Sequence, residues 1–302
     1  MKLALFVALG AIGVLYVSAL AGAVRRARLA AAGPEVKPTL FEVALGFVTS
    51  FFDTLGIGSF APTTAVLKLR SLVPDENIPG TLNVGHTLAT IAQAYIFIAI
   101  VSVDMVTLVL MIVAACLGSW LGAGVVARAS RRKIRIAMGL ALLVAATIFL
   151  LQIFKITPAG GATLSLAGWR LGAGLVGNFV LGALMEVGVG LYGPCMILVS
   201  LLGMDLKAAF PIMMGSCAFL MPVGSTKFIR SGRYSLRATL GLALGGVPAV
   251  LIAAFIVKSL NLVAMRWLVV GVVLYTALSM LYSAAVEAKR PDAAAPAPDA
   301  MA

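Results

Sequence analysis

Two carboxylates and one histidine lie in apolar stretches where ionisable side chains are rarely found. Asp53, His86 and Glu186 are each surrounded by hydrophobic residues. Ionisable groups inside membrane segments mark ion or proton pathways, and histidine titrates nearest to neutral pH. We therefore expect Asp53, Glu186 and His86 to act in coupling or gating, the carboxylates by taking up a proton or a cation. The alternative is structural: carboxylates that cap free backbone N–H groups, and a histidine held by packing and a hydrogen bond.

Each carboxylate precedes one copy of a repeated motif, at 55–62 and about 132 residues later at 187–194. Both copies contain a Gly-x-Gly, an aromatic residue and a proline inside an apolar segment. Glycine weakens a helix, and proline favours the first turn of a new one. We predict that each segment breaks at its glycines and that Pro62 and Pro194 each open a short half-helix. The alternative is that these glycines only allow close helix packing.

A helix N-terminus attracts anions through its free N–H groups and its dipole. After Pro62 the chain adds the hydroxyls of Thr63 and Thr64, whereas Cys195 and Met196 follow Pro194 without hydroxyls. We therefore expect the first copy to carry more of the polar chemistry. The candidate anion-binding residues are Gly56, Gly58, Ser59, Pro62, Thr63, Thr64, Asn83, His86, Thr87, Gly188, Gly190, Tyr192, Pro194 and Ser216.

The composition indicates that these segments lie in lipid. Hydrophobic residues make up 62% of the 302 residues, charged residues 11%, and the mean hydropathy is +1.09. Apolar runs of this kind, about 20 residues long, cross a bilayer as helices. The predicted class is all-α, a polytopic membrane protein. The runs cover residues 3–23, 40–60 with 61–70, 79–101, 105–127, 135–154, 171–190 with 191–202, 209–228, 238–257 and 262–284.

The distribution of basic residues predicts the topology, because cytoplasmic loops are enriched in Lys and Arg. If both broken segments turn back as hairpins and all other runs span, every Lys and Arg falls inside except Lys2, Lys155, Arg170, Lys207, Lys258 and Arg266. We therefore predict about eight to nine spanning helices in two inverted repeats, each with a broken or re-entrant helix. The N-terminus would lie outside and the C-terminus in the cytoplasm.

Four regions follow from this arrangement. Residues 1–24 form an additional N-terminal helix, 40–155 the first repeat, 170–285 the second repeat, and 287–302 an Ala/Pro-rich tail that we expect to be disordered. The first region ends in small residues, as a cleavable signal peptide does. The arginines that follow it favour a retained helix.

No metal or cofactor is expected. The three cysteines form no close pair and there is one histidine, whereas metal and redox motifs need several such residues at short spacing. An intramembrane enzyme that uses Asp53, Glu186 and His86 as acid–base groups stays an alternative, but the sequence has no His-Glu-x-x-His motif.

With these motifs in place, the chain resembles the TauE/SafE family of sulfite exporters over about residues 40–285. The likeness rests on both Gly-x-Gly…Pro copies, on 83–87, and on 227–233, which is like the family's segment before a late span. The chain departs from the family at Ser59, where a third glycine is common, at the bulky His86, and in its extra first helix.

The resemblance implies a permease of the inner membrane that exports sulfite, an organosulfonate or a related sulfur-containing anion, with no catalytic activity. A passive anion channel and a cation transporter that uses Asp53 and Glu186 stay open as alternatives. The expected partners are a small anionic substrate and the lipid bilayer. We expect no nucleic acid partner, and assembly into a homo-oligomer stays open.

Overall fold

A computed structural model describes residues 1–29, 36–156 and 161–256, with five isolated positions between 274 and 285. The described residues form ten α-helices, and a single isolated bridge joins Thr163 to Met204. The predicted run 262–284 and the predicted disordered tail lie outside the continuously described ranges. The helices are α1 (Lys2–Leu29), α2 (Leu40–Thr54), α3 (Phe60–Leu69), α4 (Ile78–Ile100), α5 (Met105–Val126), α6 (Arg131–Ile153), α7 (Gly168–Met185), α8 (Tyr192–Leu201), α9 (Ala209–Ser231) and α10 (Leu236–Ile256).

Both repeated motifs break a helix in the same way. In the first, the N–H of Gly56 donates to the carbonyl of Asp53 (2.9 Å) and the N–H of Ile57 to that of Phe52 (3.2 Å). Gly56 has φ +83°, and Gly188 has φ +101° with the equivalent pair of bonds at the second break. This is the Schellman ending, in which a left-handed glycine satisfies the last carbonyls of a helix.

The half-helices start before the prolines that we expected to open them. α3 begins at Phe60 and α8 at Tyr192, so Pro62 and Pro194 are each the third residue of their helix. Each helix can begin earlier because the N–H groups of its first turn need no helical partner, and proline is tolerated throughout that turn.

At each break the chain reverses direction. The Arg70 guanidinium, at the end of α3, lies 4.4 Å from the centre of the Phe41 ring in the first turn of α2. In the second half, Gly203 after α8 lies beside the Arg170 guanidinium near the start of α7. The two arms of each broken helix therefore end on the same side of the protein, as hairpins do.

The helix termini gather at two ends. We call one the basic end: there Glu42 of α2 pairs with Arg237 of α10 (3.0 Å), and Asp75 before α4 pairs with Lys68 of α3 (2.7 Å) and Arg135 of α6 (2.6 Å). At the opposite end, Lys2 of α1 donates to the carbonyl of Ala99 (2.9 Å), and the N–H of Asp104 to that of Leu164 (2.9 Å).

The two halves of the chain pack into one another. α2 packs against α10 and α7 against α5, while α4 and α9 lie together in the centre. Glycines allow the two outer pairs to approach closely: a Cβ on Gly46 would overlap the backbone of Leu242, and a Cβ on Gly182 would overlap that of Ala115. The two outer pairs are equivalent in the repeat, because α2 and α5 of the first half correspond to α7 and α10 of the second.

Within the described part of the chain, five helices are long and apolar enough to cross a membrane, which supports a polytopic membrane protein. They are Lys2–Leu29, Asp75–Ile100, Met105–Val126, Ala209–Ser231 and Leu236–Ala254. The predicted eight to nine spans and the inversion of the repeats stay predictions.

Candidate functional site

The two breaks meet in the interior. Gly58 and Phe60 from the first break line a cavity of about 30 Å³ together with Gly190, Tyr192 and Pro194 from the second. A smaller cavity of about 10 Å³ next to it is lined by Asp53 and Ser59 from the first break and by Tyr192 from the second. The smaller one holds about one water molecule. Five predicted binding residues, Gly58, Ser59, Gly190, Tyr192 and Pro194, are thus brought together with Asp53.

Both half-helices begin beside these cavities. The first helical bond of α3 runs from the N–H of Thr63 to the carbonyl of Ser59 (3.0 Å), and that of α8 from Cys195 to Leu191 (2.9 Å). The N–H groups that precede Thr63 and Cys195 have no carbonyl in their own helices. Two helix N-termini therefore contribute donors and positive dipole ends to one place.

A side-chain network joins the two breaks. The Gln93 amide nitrogen, on α4, donates to Asp53 Oδ2 (2.9 Å) and to Thr54 Oγ1 (3.0 Å). The Tyr192 hydroxyl donates to the amide oxygen of Gln93 (2.5 Å). The Ser59 hydroxyl and backbone N–H also interact with the Asp53 carboxylate. The network holds Asp53 at the smaller cavity, between the two hairpins.

His86 lies behind the first half-helix. Its ring nitrogens lie 3.3 Å from Ser50 Oγ on α2 and 3.1 Å from Thr63 Oγ1 on α3, and its ring contacts Phe60. His86 is fully enclosed and lines neither cavity. Through Phe60 and Thr63 it fixes the position of the first turn of α3.

Two of the predicted anion-binding residues carry buried atoms that have no hydrogen-bond partner among the described residues. Thr64 Oγ1 has none, and Asn83 donates to the carbonyl of Pro79 (3.1 Å) while its Oδ1 has none. Buried polar atoms without partners are rare and are found at sites where a ligand or water completes the bonding. Neither residue lines the two cavities.

Glu186 points away from the meeting point of the breaks. Its Oε1 accepts from Ser119 of α5 (2.5 Å), and the carboxylate lies directly over Gly224 of α9. Its Oε2 has no hydrogen-bond partner in the part of the chain that the structure describes. Asp53 and Glu186 take equivalent places before the two motifs, yet only Asp53 reaches the cavities.

The remaining predicted residues face other helices. Ser216 accepts a bond from Asn178 of α7 (2.9 Å), and Thr87 donates to the carbonyl of Asn83 (2.6 Å) near Ser225. Gly56 lies beside Met196 and Phe210, and Gly188 beside Met138 and Leu82.

Three residues that hold the ionisable groups in place were not predicted from the sequence: Gln93, Ser50 and Ser119. Each is a polar residue in an apolar segment, as Asp53 is. Ranking intramembrane residues by hydrogen-bonding capacity as well as by charge would have found Gln93, because an amide in lipid needs partners as a carboxylate does.

The described lining of the two cavities contains no lysine, arginine or histidine. Within the described part of the chain, no three His, Cys, Asp or Glu side chains are grouped so as to hold a metal ion. The donors at the meeting point are hydroxyls and backbone N–H groups, and Asp53 carries the charge.

Comparison with curated proteins and with solved structures gives no significant match. Comparison with protein families gives a match, which covers α1 to α5 and most of α6. This range contains nearly all of the first predicted repeat, including the first helix break. Residues 1–149, just under half of the chain, match the model of the family described as Sulfite exporter TauE/SafE, which is the family that the resemblance named, although the match includes α1 and ends before the second repeat.

Proposed function

We propose that this protein is a permease that moves small sulfur-containing anions, such as sulfite or an organosulfonate, through a site where the two broken helices meet. The observation that carries the proposal is the pair of cavities lined jointly by Gly58 to Phe60 and Gly190 to Tyr192. Half-helix N-termini that point at a shared midplane site are the way in which several transporters hold anionic groups.

The anion would be held by the N–H groups at the starts of α3 and α8. Ser59 and Tyr192 both line the smaller cavity, and the Thr64 hydroxyl, which has no hydrogen-bond partner among the described residues, lies in the second turn of α3. The cavities are smaller than a sulfonate, so binding requires the two hairpins to separate. His86 and Thr63 support the first hairpin during that movement.

Alternating access would come from rocking one repeat against the other. Support for inversion comes from the helix ends: α2 starts at the basic end, whereas α7 starts at the opposite end. The same reversal holds for α5, whose N-cap Asp104 lies at the opposite end, and for α10, whose first turn contributes Arg237 to the basic end. Inverted repeats generate two access states of similar structure.

The positive-inside rule places the basic end in the cytoplasm, which puts the N-terminus outside. Export of an anion from an inside-negative cell is favourable by about 2.3 kcal/mol per charge for each 100 mV. Outward movement that carries net negative charge therefore needs no energy source other than the membrane potential.

The test is sulfite and methanesulfonate flux in vesicles that contain the purified protein. We expect saturable flux that is accelerated by substrate on the opposite side, which a passive channel does not show. Ser59→Ala combined with Tyr192→Phe should reduce the flux. Ser235→Ala, at the basic end, is a control outside the site. Equal flux in the double variant and the control would remove the cavities from the pathway.

Cation transport is a second candidate, because Asp53 is the charged group at the cavities. The same vesicles test it: a cation transporter moves sodium or protons without any sulfur anion present. Flux of the cation alone, lost in Asp53→Asn, would replace the anion proposal.

A further inference from the structure

Asp53 stands where the proposed anion binds. It lines the same small cavity as Ser59 and Tyr192, and it is 4% exposed. Two negative charges a few ångströms apart in a low-dielectric site repel strongly. No described basic side chain lines the cavity to offset them. The N-termini of α3 and α8 together supply about one positive charge, which is enough for one anion but not for two. An ionised Asp53 therefore disfavours binding of an anion beside it.

We infer that the Asp53 cavity takes up one monovalent cation, a proton or a sodium ion, whenever the anion binds beside it. This rests on the proposed anion permease and specifies its coupling. The cavity suits either ion: its volume is about 10 Å³, the space of one water, and its lining includes the oxygen-bearing residues Asp53, Ser59, Thr90 and Tyr192. Oxygen atoms at unwound helix segments are the usual ligands of coupling ions in transporters.

Among the groups that face one another around the small cavity, Asp53 is the one that we expect to change its charge. Gln93 faces it from α4, Tyr192 from α8 and Cys217 from α9, and of these the tyrosine and the cysteine are titratable. Both are neutral when protonated. His86 lies two turns before Gln93 on α4, with its ring nitrogens turned to Ser50 and Thr63.

The coupling has an electrical consequence. A singly charged sulfonate that moves with one cation transfers no net charge. A doubly charged anion that moves with one cation still transfers one negative charge, so the membrane potential still favours its export. Substrate valence therefore decides whether transport responds to the potential.

The first experiment measures binding of methanesulfonate, which stays ionised, to the purified full-length protein. The dissociation constant is measured as a function of pH in the absence of sodium, and as a function of sodium concentration at alkaline pH. If the co-ion is a proton, we expect binding to weaken about tenfold per pH unit above the Asp53 titration, the slope for one linked proton. If it is sodium, we expect binding to weaken tenfold for each tenfold decrease in sodium.

In Asp53→Asn, or in Asp53→Ser should the first variant not fold, the dependence on pH and sodium should disappear while binding persists. Asp104→Asn, at the opposite end, is the matched control and should keep the wild-type dependence. Folded Asp53 variants that bind no anion, or wild-type binding without dependence on pH or sodium, would overturn the inference. Absence of wild-type binding under all conditions would instead overturn the proposed anion site.

The second experiment measures accumulation at steady state in vesicles. Methanesulfonate should not accumulate in response to an imposed potential of either sign, and it should accumulate along an imposed gradient of the co-ion. Accumulation driven by potential alone would contradict one-to-one coupling.

Discussion

The Tyr192 hydroxyl, at the second helix break, donates to the amide oxygen of Gln93 at 2.5 Å, and the same Gln93 amide binds Asp53 at the first break. One amide thus connects the two hairpins that our proposal requires to separate. Substitutions at Tyr192 or Gln93 therefore test how strongly this network holds the two hairpins together.

Tyr192→Phe should lower the free energy of unfolding by about 1–2 kcal/mol, because it leaves the buried oxygen of Gln93 without its donor. It should also change substrate flux, since the bond spans both hairpins. Tyr95→Phe is the matched control: its hydroxyl donates to the carbonyl of Phe6 (2.9 Å), away from the cavities. Melting and vesicle flux measure both effects. Equal flux changes in the two variants would disconnect the network from transport.

Thr64→Val should separate stability from affinity. The Thr64 hydroxyl is buried and has no hydrogen-bond partner among the residues described, so its removal should leave stability unchanged or raise it by about 1 kcal/mol. If the hydroxyl binds the anion, Kd should weaken about fivefold. Thr239→Val removes another buried unpartnered hydroxyl, on α10, and should leave Kd unchanged. Titration calorimetry and melting curves give both quantities. An unaltered Kd in Thr64→Val would exclude that side chain from the site.

Gly224→Ala should destabilise the protein by about 1–3 kcal/mol, as overpacking does. The new Cβ would lie 2.6 Å from Glu186 Oε2 and would push the carboxylate from its bond with Ser119. Gly172→Ala in α7 meets open space, and we expect it to be neutral or to stabilise by about 0.5–1 kcal/mol. Denaturation of both variants in detergent measures whether their free energies of unfolding change in opposite directions. A neutral Gly224→Ala would show that Glu186 can move freely.

Asp104 should make the stability of α5 depend on pH. It caps the helix by accepting from the N–H (2.8 Å) and the hydroxyl (2.9 Å) of Thr107. The backbone bond from Thr107 is the main cause that holds the pKa of Asp104 below its ordinary value. The charged form is therefore favoured in the folded state, so its stabilising effect is present above about pH 4, the unfolded value, and is lost as the pH falls through the folded pKa.

Asp104→Asn keeps a capping side chain and should remove this pH dependence, whereas Asp104→Ala should lower stability by about 1 kcal/mol at neutral pH. Melting curves recorded from neutral to acidic pH distinguish the three proteins. A wild-type curve that matches Asp104→Asn at every pH would contradict the prediction.

The sequence by itself determined where the helices run and where they break. Apolar length predicted most of the described helices within a few residues: the run predicted at 105–127 is α5 at Met105–Val126, and the break at Gly56 lies where the motif placed it. The first run, predicted to end at residue 23, continues as α1 to Leu29. These features are local, because helix continuation depends on neighbouring residues and a left-handed position favours glycine. The helix starts at Phe60 and Tyr192 escaped the prediction, since proline is tolerated throughout the first turn.

Only the tertiary structure decided which polar residues share a site. Asp53 and Glu186 precede equivalent motifs, yet Asp53 reaches the cavities and Glu186 binds Ser119 between α5, α7 and α9. Gln93 became important because α4 passes both breaks at once. A carboxylate in lipid takes whichever partners the packed helices offer, and those partners come from residues far apart in the chain. The ionisable groups can therefore be identified from the sequence, whereas the partners of each group and its position relative to the cavities depend on helix packing.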